Sequence, residues 1–119
     1  MQRVLIIDDN KLLRAMGSSM LTKNDYEVLT AESGIEGLKA LSENEVDVVL
    51  LDIILKNESG MDLIPKIRKT SPKTKIIMLT SYSDEETVRE AKKLGACDFI
   101  EKPLSMENLL FCLKHAVPS

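Results

Sequence analysis

Residues 46–52 read VDVVLLD, a nearly continuous aliphatic run that ends in an aspartate. Runs of the same kind stand at 3–8 (RVLIID) and 75–80 (KIIMLT). This pattern is typical of strands covered on both faces in a parallel sheet. Two shorter runs, at 27–31 (EVLTA) and 98–101 (DFIE), complete five predicted strands. The run at 27–31 alternates more and is expected near an edge of the sheet.

Amphipathic segments separate the runs and predict five helices. The first has apolar side chains that share a face at helical spacing, namely Leu12, Leu13, Met16, Met20 and Leu21. Ser33 and Ser83 each stand three residues before a glutamate, a capping-box pattern, and these helices are expected to end near residues 44 and 94. The alternation of strand and helix favours a doubly wound α/β fold with a parallel sheet and helices on both faces.

The third and fifth helices are predicted from their apolar faces. The third covers 61–69 and faces inward through Leu63, Ile64 and Ile67. Pro65 is tolerated only near the first turn of this helix, because proline has no backbone N–H. Ser105 is expected to cap the last helix, whose inward side chains are Leu109, Leu110, Leu113 and Val117.

The composition narrows the class of protein. A chain of 119 residues has the length of one domain. Its 16 basic and 19 acidic residues give a net charge of −3, which predicts no nucleic-acid partner and no anionic membrane. No apolar run approaches the roughly 18 residues of a transmembrane helix, and the N-terminus does not resemble a signal peptide. Cys97 and Cys112 are expected to be buried, reduced thiols of a cytoplasmic protein.

Polar side chains stand where the predicted strands end. Asp8 and Asp9 end the first strand, Asp52 the third and Thr80 the fourth, and Lys102 follows the fifth. Carboxyl ends of parallel strands share one edge, where doubly wound sheets bind ligands. Neighbouring carboxylates repel by about 4 kcal/mol per pair at 4 Å, so a cation is needed there. Oxygen ligands suit Mg²⁺, and Lys102 supplies a second positive charge.

Such a cluster favours phosphoryl transfer to a carboxylate, because aspartate can attack phosphorus and form an aspartyl phosphate. Asp52 is the best candidate nucleophile, since it ends the most hydrophobic strand between the acidic pair and the Thr80–Lys102 side. Charge on the three equatorial oxygens of the transferred group would be offset by Mg²⁺, Lys102 and the Thr80 hydroxyl.

These residues together resemble the receiver domain of bacterial response regulators in two-component signalling. The set comprises Asp8-Asp9, Asp52, Thr80-Ser81 and Lys102-Pro103, and the resemblance runs from residue 2 to about residue 117. It implies one receiver domain over 1–119 and a five-stranded sheet of order 2-1-3-4-5. It also implies a cytoplasmic signalling switch that catalyses only its own phosphorylation and dephosphorylation.

The resemblance assigns roles at the strand ends. Asp52 would be the phosphoacceptor, and Lys102 would contact the phosphate. Asp9, Asp52 and the backbone carbonyl of Ile54 would bind Mg²⁺ directly, and Asp8 would act largely through water.

The resemblance also implies a switch and shows two departures. Thr80 would be the switch hydroxyl and Phe99 the switch aromatic, and Gly60 matches a glycine after the acceptor strand. Lys56 stands where the family usually has proline, so the loop 56–59 is expected to be more flexible. Phe99 lacks the hydroxyl that tyrosine would carry, so switching would depend on packing alone.

The implied partners are a sensor histidine kinase or a histidine phosphotransfer protein, and a downstream effector. The resemblance also allows a homodimer through the fourth helix, fifth strand and fifth helix. The main alternative is a receiver-like interaction module that is never phosphorylated. A flavin-binding protein would need a Gly- and hydroxyl-rich phosphate loop in place of Asp8-Asp9-Asn10. An aspartate-dependent phosphatase would need an aspartate at position 54, where the chain has Ile54.

Overall fold

The computed structural model describes residues 1–81 and 84–116. The described strands are β1 (Arg3–Ile7), β2 (Glu27–Ala31), β3 (Val48–Asp52), β4 (Ile54–Leu55), β5 (Glu58–Ser59), β6 (Lys75–Thr80) and β7 (Asp98–Glu101). The described helices are α1 (Lys11–Thr22), α2 (Gly34–Glu43), α3 (Gly60–Thr70), α4 (Glu85–Leu94) and α5 (Met106–Ala116). Within the described ranges, no helix has the length and apolar character needed to cross a bilayer.

Five parallel strands form one sheet in the order β2-β1-β3-β6-β7. Counted without the short β4–β5 hairpin, this order is 2-1-3-4-5, which confirms the predicted doubly wound fold. Strand β3 lies at the centre, where Leu50 pairs with Ile6 on one side and Ile77 on the other. Strand β2 lies at the edge, as its alternating sequence predicts.

Each face of the sheet has its own hydrophobic core. Successive side chains of β1 point alternately into the two cores. Leu5 and Ile7 belong to the core beneath α2, α3 and α4. Val4 and Ile6 belong to the core beneath α1 and α5. Both cores are aliphatic, and every residue of β3 is buried. Coverage on both faces explains why the central strands have continuous apolar sequences.

Helix α1 does not bury all of its predicted apolar face. Leu21 is fully buried, but Leu12 is 68% exposed and Met16 is also exposed. The helix approaches the sheet at Gly17, where an added Cβ would lie 3.0 Å from Cδ1 of Ile6. Leu12 and Met16 lie on the solvent side of the apolar face, whereas Leu13 and Met20 pack against the core.

Two predicted helix caps are confirmed. Ser33 Oγ accepts a hydrogen bond from the N–H of Glu36 (3.2 Å), and Ser105 Oγ accepts one from the N–H of Asn108 (3.1 Å). Helix α4 is capped by Asp84, whose Oδ1 accepts from the N–H of Thr87 at 2.7 Å. Ser83 and Val117, which were predicted as a cap and an inward side chain, lie outside the described residues.

Helix α3 continues through its proline. It begins at Gly60, so Pro65 is its sixth residue, and the prediction that Pro65 lies near the first turn was wrong. Leu63, Ile64 and Ile67 are buried as predicted. Burial of this face stabilises the helix on both sides of Pro65, whose ring lies on the exposed side and whose missing N–H costs one intrahelical hydrogen bond.

The two cysteines differ in burial. Cys112 is buried on α5, as predicted, but Cys97 is exposed, and that prediction was wrong. Cys97 lies in the connection from α4 to β7, where its neighbour Ala96 occupies the inward position.

Candidate functional site

The polar residues predicted at the strand ends meet at one edge of the sheet. Asp8 follows β1, Asp52 ends β3, Thr80 ends β6 and Lys102 follows β7. Because the strands are parallel and adjacent, all four residues lie at their carboxyl ends. The backbone N–H of Lys102 donates to the Thr80 carbonyl at 2.7 Å, which fixes these two residues side by side.

Lys102 bridges two carboxylates. Its Nζ lies 2.9 Å from Oδ2 of Asp8 and 3.2 Å from Oδ2 of Asp52. Asp8 is fully buried, Asp52 is 6% exposed, and the Lys102 side chain is 18% exposed. Such charges are stable away from water only when they are paired, and this ammonium compensates part of the acidic charge.

The main chain orients the other oxygen of each carboxylate. Oδ1 of Asp8 accepts from the N–H of Asn10 at 2.9 Å, and Oδ1 of Asp52 accepts from the N–H of Ile54 at 3.2 Å. In both residues, Oδ1 is therefore held by the backbone and Oδ2 is turned toward Lys102. The arrangement gives Asp52 a fixed direction at the edge of the sheet.

The protonation equilibria reflect this charge distribution. Burial and the negative charge of Asp8 raise the pKa of Asp52, and they outweigh Lys102 and the Ile54 N–H, which act in the opposite direction. Burial alone would lower the pKa of Lys102, but its contacts with Asp8 and Asp52 raise it instead. The site therefore retains one ammonium and an excess of acidic groups that favours a further cation.

Three carboxylates could share a metal ion. Asp8, Asp9 and Asp52 each offer an oxygen, and the three oxygens lie within 4.8 Å of one another. Asp9 is exposed, whereas the other two are buried, so the cluster opens to solvent on the side of Asp9. Oδ2 of the fully buried Asp8 contacts the Lys102 ammonium at 2.9 Å. An oxygen-only donor set of this kind is suited to a hard divalent cation.

Gly60 allows α3 to begin beside Asp52. Its N–H donates to the carbonyl of Ile53 at 2.6 Å, and an added Cβ would lie only 2.0 Å from the carbonyl oxygen of Asp52. Any side chain at position 60 would displace the backbone of the central carboxylate. The structure thus gives a physical reason for the glycine that the sequence singled out.

The loop after Asp52 is an antiparallel hairpin. Strands β4 and β5 pair with Lys56 and Asn57 in the turn, and Oε2 of Glu58 accepts from the N–H of Gly34 at 3.3 Å, at the start of α2. The ligand role of the Ile54 carbonyl and the flexibility of 56–59 stay predictions.

Thr80 and Phe99 lie on neighbouring strands. Thr80 is buried, and Phe99, which pairs with Met78 in register, is half-buried against the core beneath α2, α3 and α4. Thr80 is thus two residues beyond the register partner of Phe99, and the switch role of both residues stays a prediction.

Sequence reasoning missed Arg14. Its Nη1 donates to the backbone carbonyl of Asp8 at 2.7 Å, and its Nη2 lies 3.8 Å from Oε2 of Glu32. No sequence signal identified Arg14, because the side of α1 that faces the sheet is set by tertiary contacts.

Comparison with known proteins agrees with this geometry. The sequence pattern of the response regulator receiver domain matches residues 4–114. The chain is 34% identical over 117 residues to the chemotaxis protein CheY of Listeria monocytogenes, and the match covers 98% of both proteins. It covers only 30% of a cyclic di-GMP phosphodiesterase from Thermotoga maritima that is 36% identical.

Solved structures show the same likeness. Chemotaxis protein CheY4 of Vibrio cholerae superposes with a TM-score of 0.94 at 32% identity, over 98% of this chain and 99% of the other. A response regulator from Burkholderia pseudomallei, described with a phosphorylated aspartic acid and a calcium ion, has a TM-score of 0.88 at 30% identity, over 92% of this chain and 65% of the other. The chain belongs to the family of response regulator receiver domains. It is a CheY-like receiver domain of the two-component systems.

Proposed function

We propose that Asp52 accepts a phosphoryl group from a phosphohistidine of a sensor histidine kinase or a histidine phosphotransfer protein. The observation that carries the proposal is the position of Asp52, at the carboxyl end of the central strand and 3.2 Å from the Lys102 ammonium. The similar Burkholderia regulator, described with a phosphorylated aspartic acid, supports this assignment. On this reading, residues 1–119 act as one receiver domain.

The transfer is a displacement at phosphorus. A carboxylate oxygen of Asp52 forms the new O–P bond as the N–P bond of the phosphohistidine breaks. The departing imidazole nitrogen keeps the electron pair and takes a proton from water. The product is an acyl phosphate on Asp52, and the donor is a neutral histidine.

Asp8, Asp9 and Asp52 would hold Mg²⁺, with the Ile54 carbonyl as a further ligand. The fit rests on three carboxylate oxygens within 4.8 Å of one another, whose negative charge the Lys102 ammonium compensates only in part. When bound, Mg²⁺ would neutralise charge on the phosphoryl oxygens and on the surrounding carboxylates. Asp8 lies deepest and would act largely through water.

Lys102 and Thr80 would stabilise the product. The Lys102 ammonium already lies beside Oδ2 of Asp52, so it would remain within reach of an oxygen of the attached phosphoryl group. The Thr80 hydroxyl, at the end of the neighbouring strand, would donate to another oxygen. Both contacts are stronger with the charged phosphate than with the free carboxylate, so they favour the phosphorylated arrangement.

Thr80 would pass the change to Phe99. Movement of Thr80 toward the phosphate leaves space that the half-buried Phe99 ring fills by turning inward. The surface of α4, β7 and α5 would then change shape, which is a shift between two arrangements biased by one local contact. A downstream effector or a second receiver would bind there, in the cytoplasm.

Intact-mass measurement with acetyl phosphate and MgCl₂ tests the proposal. We expect one added phosphoryl group in the wild type and none in Asp52→Asn. Asp25→Asn is the matched control, because Asp25 is exposed just before β2 and should leave the modification unchanged. Equal modification of Asp52→Asn would contradict the assignment. No modification of the wild type by any phosphodonor would favour the unphosphorylated interaction module.

A further inference from the structure

Basic side chains gather where α3 and α4 end, in a region that we call the basic corner. Its members are Lys66, Arg68, Lys69, Lys73, Lys75, Arg89, Lys92 and Lys93. The segments 66–75 and 89–93 contain these eight basic residues and one acidic residue, Glu90, so their formal charge is +7. The rest of the chain has eight basic and eighteen acidic residues, a formal charge of −10. The small net charge of −3 therefore conceals a strong asymmetry.

The two segments meet in space. An added Cβ at Gly95, the C-cap of α4, would lie 2.9 Å from Cδ of Arg68 on α3. The N–H of Cys97 donates to the carbonyl of Ile76 at 2.8 Å, which brings the α4–β7 connection beside Lys75. The last turns of both helices and the start of β6 thus form one corner of the domain.

The basic side chains of the corner form no direct ion pair within the described part of the chain. Seven of its eight basic residues are exposed, and none forms an ion pair within 4.0 Å with a described residue. Nε and Nη2 of the half-buried Arg68 are buried without a hydrogen-bond partner among the described residues. Glu43, Glu45 and Asp47 line the same surface cleft as Lys73 and Lys75, so the positive potential of the corner is concentrated on α3 and α4.

Helix dipoles explain only part of this cluster. Basic residues in a last helical turn gain about 0.3–1 kcal/mol each from the dipole, and four corner residues stand in such turns, namely Arg68, Lys69, Lys92 and Lys93. The other four lie outside the last turns. Helices α1 and α2 form without any basic residue in their last turns, so helix stability does not require this density of charge.

We propose that the basic corner docks a short acidic segment of a partner protein. A segment of a few Asp or Glu residues matches the unpaired positive charge that the corner carries on α3 and α4. Electrostatic attraction between the corner and this segment would raise the association rate and would weaken as the salt concentration rises.

Longer or flatter polyanions match the corner less well. A DNA duplex crossing the 28 Å width of the domain would carry about 16 charges, and much of it would face the acidic remainder of the chain. A protein surface that binds a membrane usually also exposes apolar side chains that insert into the lipid. The large apolar side chains that are exposed among the described residues lie outside the corner.

The corner is separate from the Asp52 site. Lys75 begins β6 and Thr80 ends it, so the two regions lie at opposite ends of the sheet. Docking at the corner and phosphorylation of Asp52 can therefore be tested independently.

The test is fluorescence anisotropy of a labelled decaglutamate peptide with the full chain at 50 and 200 mM NaCl. The variant carries Lys69→Glu, Lys92→Glu and Lys93→Glu. The control makes the same charge change with Lys23→Glu, Lys39→Glu and Lys114→Glu, which are exposed on other helices or helix ends. We expect the wild type to bind, the higher salt to weaken binding about 10-fold, and the corner variant to lose about 10-fold more affinity than the control.

Three outcomes would overturn the proposal: no binding by the wild type, equal losses in both variants, or tighter binding of duplex DNA or phosphatidylserine vesicles through the same residues. Thermal unfolding verifies that each variant is folded. If charge reversal prevents folding, Lys→Gln at the same three positions takes its place, with the same expected loss relative to a matched Lys→Gln control.

Discussion

The guanidinium of Arg14 donates a hydrogen bond of 2.7 Å to the backbone carbonyl of Asp8. This carbonyl belongs to the peptide group that joins Asp8 to Asp9, so Arg14 fixes the main chain from which both carboxylates project. Its second terminal nitrogen faces Glu32 at 3.8 Å, and its side chain is only 17% exposed. Arg14 thus acts as a positioning residue for the acidic cluster.

Replacement of Arg14 should weaken Mg²⁺ binding. We expect Arg14→Ala to lower the affinity roughly 10-fold, as for other residues that orient metal ligands, and Arg14→Lys to restore part of it. Calorimetric titration with MgCl₂ measures the effect. Arg3→Ala is the control, because Arg3 is tied in a similar way to Glu27 and Glu45 at the opposite edge of the sheet. If both variants lost the same affinity, Arg14 would have only a general structural role.

A side chain at position 60 should destabilise the domain. Gly60→Ala places a Cβ 2.0 Å from the carbonyl oxygen of Asp52, a backbone atom with little freedom to move. We expect a loss of about 2–4 kcal/mol in the free energy of unfolding, measured with urea. Gly17→Ala is the comparison, since its Cβ meets the flexible end of Ile6 at 3.0 Å and should cost less than about 1.5 kcal/mol. Equal losses of stability in Gly60→Ala and Gly17→Ala would show that position 60 does not lie tightly against the Asp52 carbonyl.

Asp52 should destabilise the metal-free protein at neutral pH. Burial and Asp8 raise its pKa above the usual 3.8, so the folded state holds this proton to higher pH than the unfolded chain does. Wild-type stability relative to Asp52→Asn should therefore fall as pH rises from about 3.8 through the raised pKa. At pH 7 we expect Asp52→Asn to be more stable by about 1 kcal/mol.

Urea unfolding between pH 3.5 and 7 measures this difference. Below pH 3.8 it should shrink, because the carboxyl group is then protonated in both states. Mg²⁺ should stabilise the wild type at pH 7 and reduce the gap. A variant that is less stable than the wild type at pH 7 without metal would contradict the charge balance derived for the site.

Thr80 should carry the phosphorylation signal. With beryllofluoride as a phosphoryl mimic, amide chemical shifts in the wild type should change along α4, β7 and α5. In Thr80→Ala these changes should be much smaller, because no hydroxyl couples the mimic to Phe99. Thr22→Ala, an exposed residue at the end of α1, is the control. Equal shifts in the wild type and Thr80→Ala would show that another residue transmits the change.

The sequence predicted the fold and the main site because both depend on strand pattern. Continuous apolar runs identify buried parallel strands, and the polar residues that end them must share one edge, which is where Asp8, Asp52, Thr80 and Lys102 lie. The strand order followed from the family resemblance rather than from the runs, since short parallel strands do not encode their neighbours.

What the sequence did not predict depends on tertiary contacts. Helical periodicity groups the apolar side chains of α1 on one face but does not reveal that Leu12 and Met16 are exposed, because this depends on where the helix contacts the sheet, near Gly17 and Ile6. The hydrogen bond from the N–H of Gly34 to Glu58 joins residues 24 positions apart in the chain, and the bond from Arg14 to the Asp8 carbonyl depends on the conformation of a long side chain, so periodicity predicts neither.

The most direct test of the account is to locate the phosphoryl group. The wild type is phosphorylated with acetyl phosphate and Mg²⁺ and then treated with borohydride, which reduces an acyl phosphate to an alcohol and converts the modified aspartate to homoserine. Tandem mass spectrometry of the peptides then identifies the position. We expect homoserine at residue 52 and at no other aspartate. Homoserine at Asp8, Asp9 or a distant carboxylate would contradict it.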